Sequence, residues 1–137
     1  MAYKTMTAAP LWGGGYVQFS ANGLGVGAGY YSVEPAQLER YREAVVEDAS
    51  GNELADIVAT LRTGGAEVRA HDTLKTAPRG YPKDHPRIEL LRHKGLIAWW
   101  QFPPAPWLAT PKAKDRVVTS LRVGRPLLDW LDHHVGR

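Results

Sequence analysis

The proline-rich residues 77–87, APRGYPKDHPR, have the side chains whose types and spacing could do chemistry. Three cations lie just before a helix that is expected to begin near Pro86, where free backbone amides and the helix dipole favour an anion such as phosphate. A tyrosine that can stack and a titratable histidine extend the prediction to a nucleotide or nucleic acid. The predicted anion-binding residues are Arg79, Tyr81, Lys83, His85 and Arg87.

The same stretch also fits a purely structural interpretation. In that case Asp84 caps the helix, the arginines pair with acidic residues of the first half of the chain, and Tyr81 packs on the core. The sequence leaves both interpretations open.

Two pairs of neighbouring polar residues are candidates for acid–base or metal chemistry: Asp84 with His85, and His71 with Asp72. Adjacent residues in extended backbone point in opposite directions, so neither pair can act without partners from elsewhere. An enzyme centred on Asp84 and His85 is therefore the alternative function. No metal or cofactor is predicted.

Other recognisable catalytic designs are missing from the sequence. It has no G-x-S-x-G elbow, no H-E-x-x-H helix and no G-x-x-x-x-G-K-[ST] loop. The tandem His133-His134 suits the negative C-terminal end of a helix better than a ligand pair.

The composition is that of one globular domain over residues 1–137, with 44% hydrophobic residues and no cysteine. Without cysteine there is neither a disulfide nor a thiolate site. No apolar run is long enough for a membrane span or a signal peptide, which predicts a cytoplasmic protein without membrane contact.

The net charge of +3 is unevenly distributed. Residues 1–61 have 3 basic and 7 acidic side chains, whereas residues 62–125 have 13 basic and 5 acidic ones. This division predicts either an anion-binding surface or two faces that attract one another.

A glycine-rich hairpin is predicted near the start of the chain. Gly15–Ser20 contains β-formers, Asn22-Gly23 is a common tight turn, and residues 24–31 form the second strand. Glycines 25, 27 and 29 leave one strand face bare, so a helix, a ligand or an aromatic ring such as Trp12 should lie on it. No helix opens directly after the last glycine, which excludes a dinucleotide-binding loop.

Helical periodicity predicts one helix from Pro35 and another from a Ser50–Glu53 capping box to Gly64-Gly65. Short strands are expected around Val68 and Leu74. A further helix should begin near Pro86 and end at Gly95, and a strand over residues 96–102 should place Trp99 and Trp100 on opposite faces. The last two helices are expected to bury Val117, Val118 and Leu121, and then Leu127, Leu128, Leu131 and Val135. Together these elements predict an α+β fold, a small antiparallel sheet covered by about five helices.

Residues 15–31, 38–44 and above all 77–94, APRGYPKDHPRIELLRHK, resemble the bacterial family called domain of unknown function 2461. The resemblance implies an intracellular α+β domain without an established activity. Members are usually longer, with an RxxRDxRFxxxDKxxY signature before the hairpin, of which only Tyr3-Lys4-Thr5 is matched. The chain is therefore similar to the C-terminal part of a member.

Three functions follow from these observations. The first is a binding module for a phosphorylated or polyanionic partner, a phosphorylated ligand or a nucleic acid. The second is the enzyme around Asp84 and His85, completed by the absent signature. The third is a structural or regulatory fragment that pairs with another polypeptide, or with a second copy of itself, through the surface which the signature region would otherwise cover.

Overall fold

One antiparallel sheet forms the centre of the protein. The structure is a computed structural model that describes residues 7–11 and 15–136. The strands are β1 (Thr7–Leu11), β2 (Gly15–Ser20), β3 (Gly23–Tyr30), β4 (Glu67–Arg69) and β5 (Leu96–Phe102). They lie in the order β1-β2-β3-β5-β4, so that β3 and β5 occupy the middle of the sheet.

Five α-helices accompany the sheet in the described part of the chain. They are α1 (Pro35–Val46), α2 (Asp48–Thr63), α3 (Ile88–Arg92), α4 (Lys112–Val123) and α5 (Arg125–His134), with a 3-10 helix at Pro106–Ala109. The predicted α+β class is confirmed. Across the same residues, none of the helices combines the length and the apolar character that a bilayer crossing requires.

The predicted hairpin is present as β2 and β3, but its two turn residues are Ala21 and Asn22, and Gly23 already belongs to β3, where it pairs with Ser20. Gly23 has a φ of +106°, and a β-carbon there would lie 2.0 Å from the carbonyl oxygen of Phe102. Glycine is therefore required at position 23 for two reasons: its backbone has a positive φ, and β5 lies too close for a side chain.

The helices cover one face of the sheet, on which β3 and β5 place Ala28, Tyr30 and Trp100. These three residues belong to the buried core. The joint between α4 and α5 lies against this face, because a β-carbon on Gly124 would come 2.8 Å from that of Ala28 and 3.1 Å from the Trp100 ring. The Tyr30 hydroxyl donates to the Asp132 carboxylate of α5. Trp100 therefore faces inward and Trp99 lies on the opposite face of the sheet, in agreement with the prediction that the two rings lie on opposite faces.

The start of the second helix differs from the prediction. α2 begins at Asp48, not at Ser50, and the Ser50 hydroxyl donates to the carbonyl oxygen of Ala44 at 2.6 Å. Ser50 is already buried inside the helix, so its hydroxyl bonds back to the end of α1. The capping box lies instead at the start of α1, between Glu34 and Gln37.

Two later predictions also need correction. Val118 is 42% exposed, and α4 buries Ala113 and Ser120. The helix thus rests on its small residues. The strand expected around Val68 is β4, but near Leu74 there is only an isolated bridge between Thr73 and His93.

Candidate functional site

Arg87, one of the predicted anion-binding residues, lies inside the protein with 8% of its surface exposed. Its guanidinium donates to the carbonyl oxygens of Val45 at 2.7 Å and Val46 at 3.0 Å, which are the last carbonyls of α1. It also donates to Asn52 Oδ1 at 2.9 Å and Asp48 Oδ1 at 3.1 Å, both in α2. These partners use its donors to join two helices, as in the structural interpretation.

The other basic residues of the loop remain at the surface. Arg79 and Lys83 are exposed, and no ion pair involves either of them within the described residues. The ring of Tyr81 packs against the core cluster. The structure therefore buries Arg87, packs the partly buried Tyr81 against the core and leaves Arg79 and Lys83 exposed.

The helix start at the end of the loop also differs from the anion-site prediction. α3 has five residues, and its N-cap is Arg87 without a side-chain cap, so Asp84 does not cap the helix. Asp84 is exposed, and His85 Nδ1 accepts a hydrogen bond from the backbone amide of Arg87 at 3.0 Å. One ring nitrogen of His85 thus supports the loop.

The second predicted polar pair is divided between two partners. The His71 amide donates to the carbonyl oxygen of Tyr31 at 3.0 Å, and the two rings meet edge to face with centroids 5.5 Å apart. Asp72 forms an ion pair with Lys94 at 3.3 Å. His71 and Asp72 therefore act on different neighbours.

The bare strand face carries an aromatic ring, as predicted, and the ring is that of Trp99. A β-carbon on Gly25 would lie 2.2 Å from Trp99 Cζ2, and one on Gly27 would lie 2.8 Å from Trp99 Cε3. Only glycine at both positions lets the indole lie flat on β3. Trp12, the ring named from the sequence, lies outside the described residues.

The indole of Trp99 is held in place from its edge. Its Nε1 donates to Gln101 Oε1 at 3.1 Å, and the Gln101 amide donates to the carbonyl oxygens of Asn22 at 3.2 Å and Leu24 at 3.3 Å. Hydrogen bonds to strand β3 and the turn before it thus fix the orientation of the ring.

A cavity of about 270 Å³ lies next to this ring, on the sheet face opposite the helices. Tyr16 and Tyr31 are 37% and 45% exposed, and the Arg69 guanidinium carbon lies 4.8 Å from the centre of the Trp99 ring. Arg69 also pairs with Glu67 at 3.2 Å. The cavity is lined by Tyr16, Gln18, Tyr31, Arg69, Ile97 and Trp99.

This aromatic face was only partly predictable from the sequence. The glycines at period two indicated a face that something flat must cover. The cavity, however, depends on the register in which Gly27 pairs with both Tyr16 and Trp99. The register of Tyr16 with Gly27 follows from the short hairpin turn, whereas that of Gly27 with Trp99 joins strands far apart in the chain and cannot be inferred from local pattern.

A larger groove of about 1020 Å³ lies between α2 and α5. Its walls combine carboxylates with apolar side chains, and His134 Nε2 lies 3.9 Å from Glu53 Oε1. Within the described residues, no group of three or more histidine and acidic side chains is arranged to hold a metal ion. The groove's acidic and apolar lining includes Glu47, Glu53, Asp56, Ile57, Val123, Pro126, Asp129 and Trp130.

Comparisons with known proteins identify the family. No curated protein and no solved structure matches the chain. A family model described as "Conserved hypothetical protein (DUF2461)" matches residues 1–130 of the 137. The chain therefore belongs to this family of conserved hypothetical proteins.

Proposed function

We propose that this protein is a binding module for a polyanionic partner that carries aromatic bases, a nucleotide or a single-stranded nucleic acid. The observation that carries the proposal is the aromatic face, the surface formed by Tyr16, Gln18, Tyr31, Arg69 and Trp99. It combines exposed rings, a guanidinium and a cavity of about 270 Å³ on a rigid sheet.

Stacking supplies the recognition of the bases. Every base has a π-face, and one base stacked on an aromatic side chain contributes about 1–3 kcal/mol without requiring a particular sequence. Trp99 is already oriented by Gln101 and by the bare glycines, so little conformational entropy is lost when a base stacks near it. The exposed ring of Tyr31 provides a second stacking surface.

Charge supplies the attraction for phosphate. Arg69 lies at the edge of the cavity, and its ion pair with Glu67 is between side chains that are 43% and 63% exposed. Such an exposed pair is weak, so a phosphate can compete for the guanidinium. The guanidinium also stacks on Trp99, which keeps it beside the bases.

The loop predicted from the sequence is the competing location for the same function. Arg79 and Lys83 are exposed there, whereas the guanidinium of Arg87 is occupied by two carbonyls, an amide and a carboxylate. Two exposed cations that do not stack on an aromatic ring form a weaker site than the aromatic face, where Arg69 stacks on Trp99. We therefore place the stacked bases on the sheet and leave the loop as the alternative in the experiment.

The enzymatic alternative has less support. Its two residues do not form an acid–base pair, because Asp84 is exposed and His85 Nδ1 accepts the amide of Arg87. The third alternative, self-association through a surface that the signature region would cover, depends on residues such as Tyr3-Lys4-Thr5, which lie outside the described residues.

The test is fluorescence anisotropy with a labelled single-stranded oligonucleotide, using inorganic polyphosphate as a competitor without bases. We expect Tyr31→Ala to weaken oligonucleotide binding about 5- to 150-fold, which corresponds to the stacking range of about 1–3 kcal/mol. Binding should also weaken as salt increases, in proportion to the number of phosphates contacted. Circular dichroism verifies that the variant is folded.

The loop variant Arg79→Ala with Lys83→Ala is the matched control, and it should bind the oligonucleotide nearly as well as the unmodified protein. A loss confined to this variant would place the site on the loop. Polyphosphate that competes as strongly as the oligonucleotide would contradict recognition of bases, and an absence of binding at low salt would contradict the proposal as a whole.

A further inference from the structure

The groove between α2 and α5 is the largest cavity described above, and it lies apart from the aromatic face. Its floor is apolar, with Ile57 and Trp130 among its residues, while Glu53 and Asp56 on α2 and Asp129 on α5 add negative charge. Asp129 is paired with Arg125 at 3.1 Å, but Asp56 has no ion pair in the described part of the chain. The groove therefore suits a partner that is both cationic and partly apolar.

The groove has a volume of about 1020 Å³, which leaves room for side chains that project from one exposed face of a helix.

The chain itself presents a helix of this chemistry. On α4, Lys114, Val118 and Arg122 follow one another at four-residue intervals, so they form one stripe along the helix. All three are exposed, and neither cation forms an ion pair within the described residues. The stripe has a cation at each end and an apolar side chain, 42% exposed, in the middle.

We infer that the Lys114–Val118–Arg122 stripe of one copy docks in the α2–α5 groove of a second copy. Val118 meets the apolar floor, while Lys114 and Arg122 meet carboxylates that include Glu53 and Asp56. Glu53 and Asp56 of the groove come from the acidic first part of the sequence, and the cations of the stripe come from its basic middle part, so the two sets are complementary in charge.

The contact is heterologous, because each copy uses its helix for one neighbour and its groove for another. Such contacts continue to further copies unless a ring closes. Association should therefore increase with concentration and decrease with salt, since much of the attraction is electrostatic.

The experiment is light scattering on the full chain, which has a mass of 15.1 kDa. We expect the average mass to rise above this value with concentration at low salt and to return to it at high salt. The groove variant E53K/D56K and the helix variant K114E/R122E should each remain monomeric.

An equal mixture of the two variants provides the sharpest test. The intact α4 of the groove variant can dock in the intact groove of the helix variant, and the anionic α4 of the helix variant can dock in the cationic groove of the groove variant, so the mixture restores both contacts. We expect the mixture to have an average mass above 15.1 kDa at low salt, although neither variant associates alone. Matched controls with the same charge changes on exposed residues elsewhere are E39K/E43K and K75E/K83E, which should associate like the unmodified protein.

A chain that stays monomeric at low salt, or a mixture of the two variants that stays monomeric, would overturn the inference. So would control variants that lose association to the same extent, because the effect would then come from net charge alone. Oligonucleotide binding by the aromatic face uses other residues, so either proposal can fail without the other.

Discussion

Arg87 has a guanidinium that could bind an anionic ligand, but this group binds oxygens of α1 and α2 within the protein instead. Its guanidinium satisfies the carbonyls of Val45 and Val46, which no helical amide can reach after α1 has ended. The sequence could predict that an arginine here pairs with the acidic first half. It could not predict the backbone partners, because they depend on how α1 meets α2.

Replacing Arg87 with methionine should destabilise the protein by about 2–4 kcal/mol, because two carbonyls and Asn52 Oδ1 lose a buried donor. Urea denaturation measures the change. Arg79→Ala, at an exposed arginine, is the control and should change stability by less than about 0.5 kcal/mol. Equal effects of the two substitutions would mean that the buried hydrogen bonds contribute little.

His93 is the second residue whose environment determines a measurable property. It is 8% exposed, its Nδ1 lies 2.9 Å from Thr73 Oγ1, and its Nε2 has no hydrogen-bond partner within the described residues. Burial lowers the pKa of His93 from its ordinary 6.5. Among the smaller effects, Glu89 raises this pKa, whereas Arg62 and Arg92 lower it further. The folded protein therefore favours the neutral imidazole.

Stability should consequently decrease with acidification. Below pH 6.5 the unfolded chain binds a proton at His93 that the folded chain does not, so the free energy of unfolding falls until the lower folded pKa is reached. His93→Gln, which cannot be protonated, should reduce this pH dependence in urea denaturation between pH 7.5 and 5.5. His71→Gln, the same substitution at an exposed histidine, is the control with which the slope of the His93 variant is compared. The same slope in the His93 variant would contradict the prediction.

At the scale of elements, the most constrained contact is that between β3 and the ring of Trp99. Gly25→Ala should destabilise the protein by about 1–3 kcal/mol, because its β-carbon would overlap the indole. In a Trp99→Ala background the same change should cost less than about 1 kcal/mol, since the obstacle is gone. Urea denaturation of the four proteins gives the coupling.

Gly64→Ala is the matched control, because the nearest atom to its β-carbon would be 3.6 Å away. This substitution should cost clearly less than Gly25→Ala. Additive effects of Gly25→Ala and Trp99→Ala would show that the ring does not rest on the glycine.

Elements with a strong local signal were predictable, and those set by tertiary contacts were not. The tight turn and the proline at the start of α1 act within a few residues, so the sequence located Pro35 and placed the turn within one residue of its position at Ala21 and Asn22. Ser50 satisfies the capping pattern equally well, yet packing of α2 on α1 moves the helix start to Asp48. Val118 matches a helical stripe, but the small residues Ala113 and Ser120 allow α4 to turn it outward.

At the scale of the whole molecule, the sheet edges bear on how copies can meet. The edge strand β1 contains Pro10, and the opposite edge β4 has three residues, among them Glu67 and Arg69. Proline, charge and short length all hinder the addition of another strand. The association that we infer is accordingly between a helix and a groove. The sequence predicted the opposite charges of these two surfaces, but not the surfaces themselves.

The central pairing of β3 with β5 joins segments that about half of the chain separates, since Tyr30 pairs with Leu96 and Leu24 with Phe102. During synthesis the β2–β3 hairpin leaves the ribosome long before its β5 neighbour exists. Until then Leu24 and Val26, fully buried in the finished protein, lie beside an open row of amides and carbonyls. The nascent chain therefore passes through a stage in which a chaperone, or another unfinished copy, can occupy the place of β5.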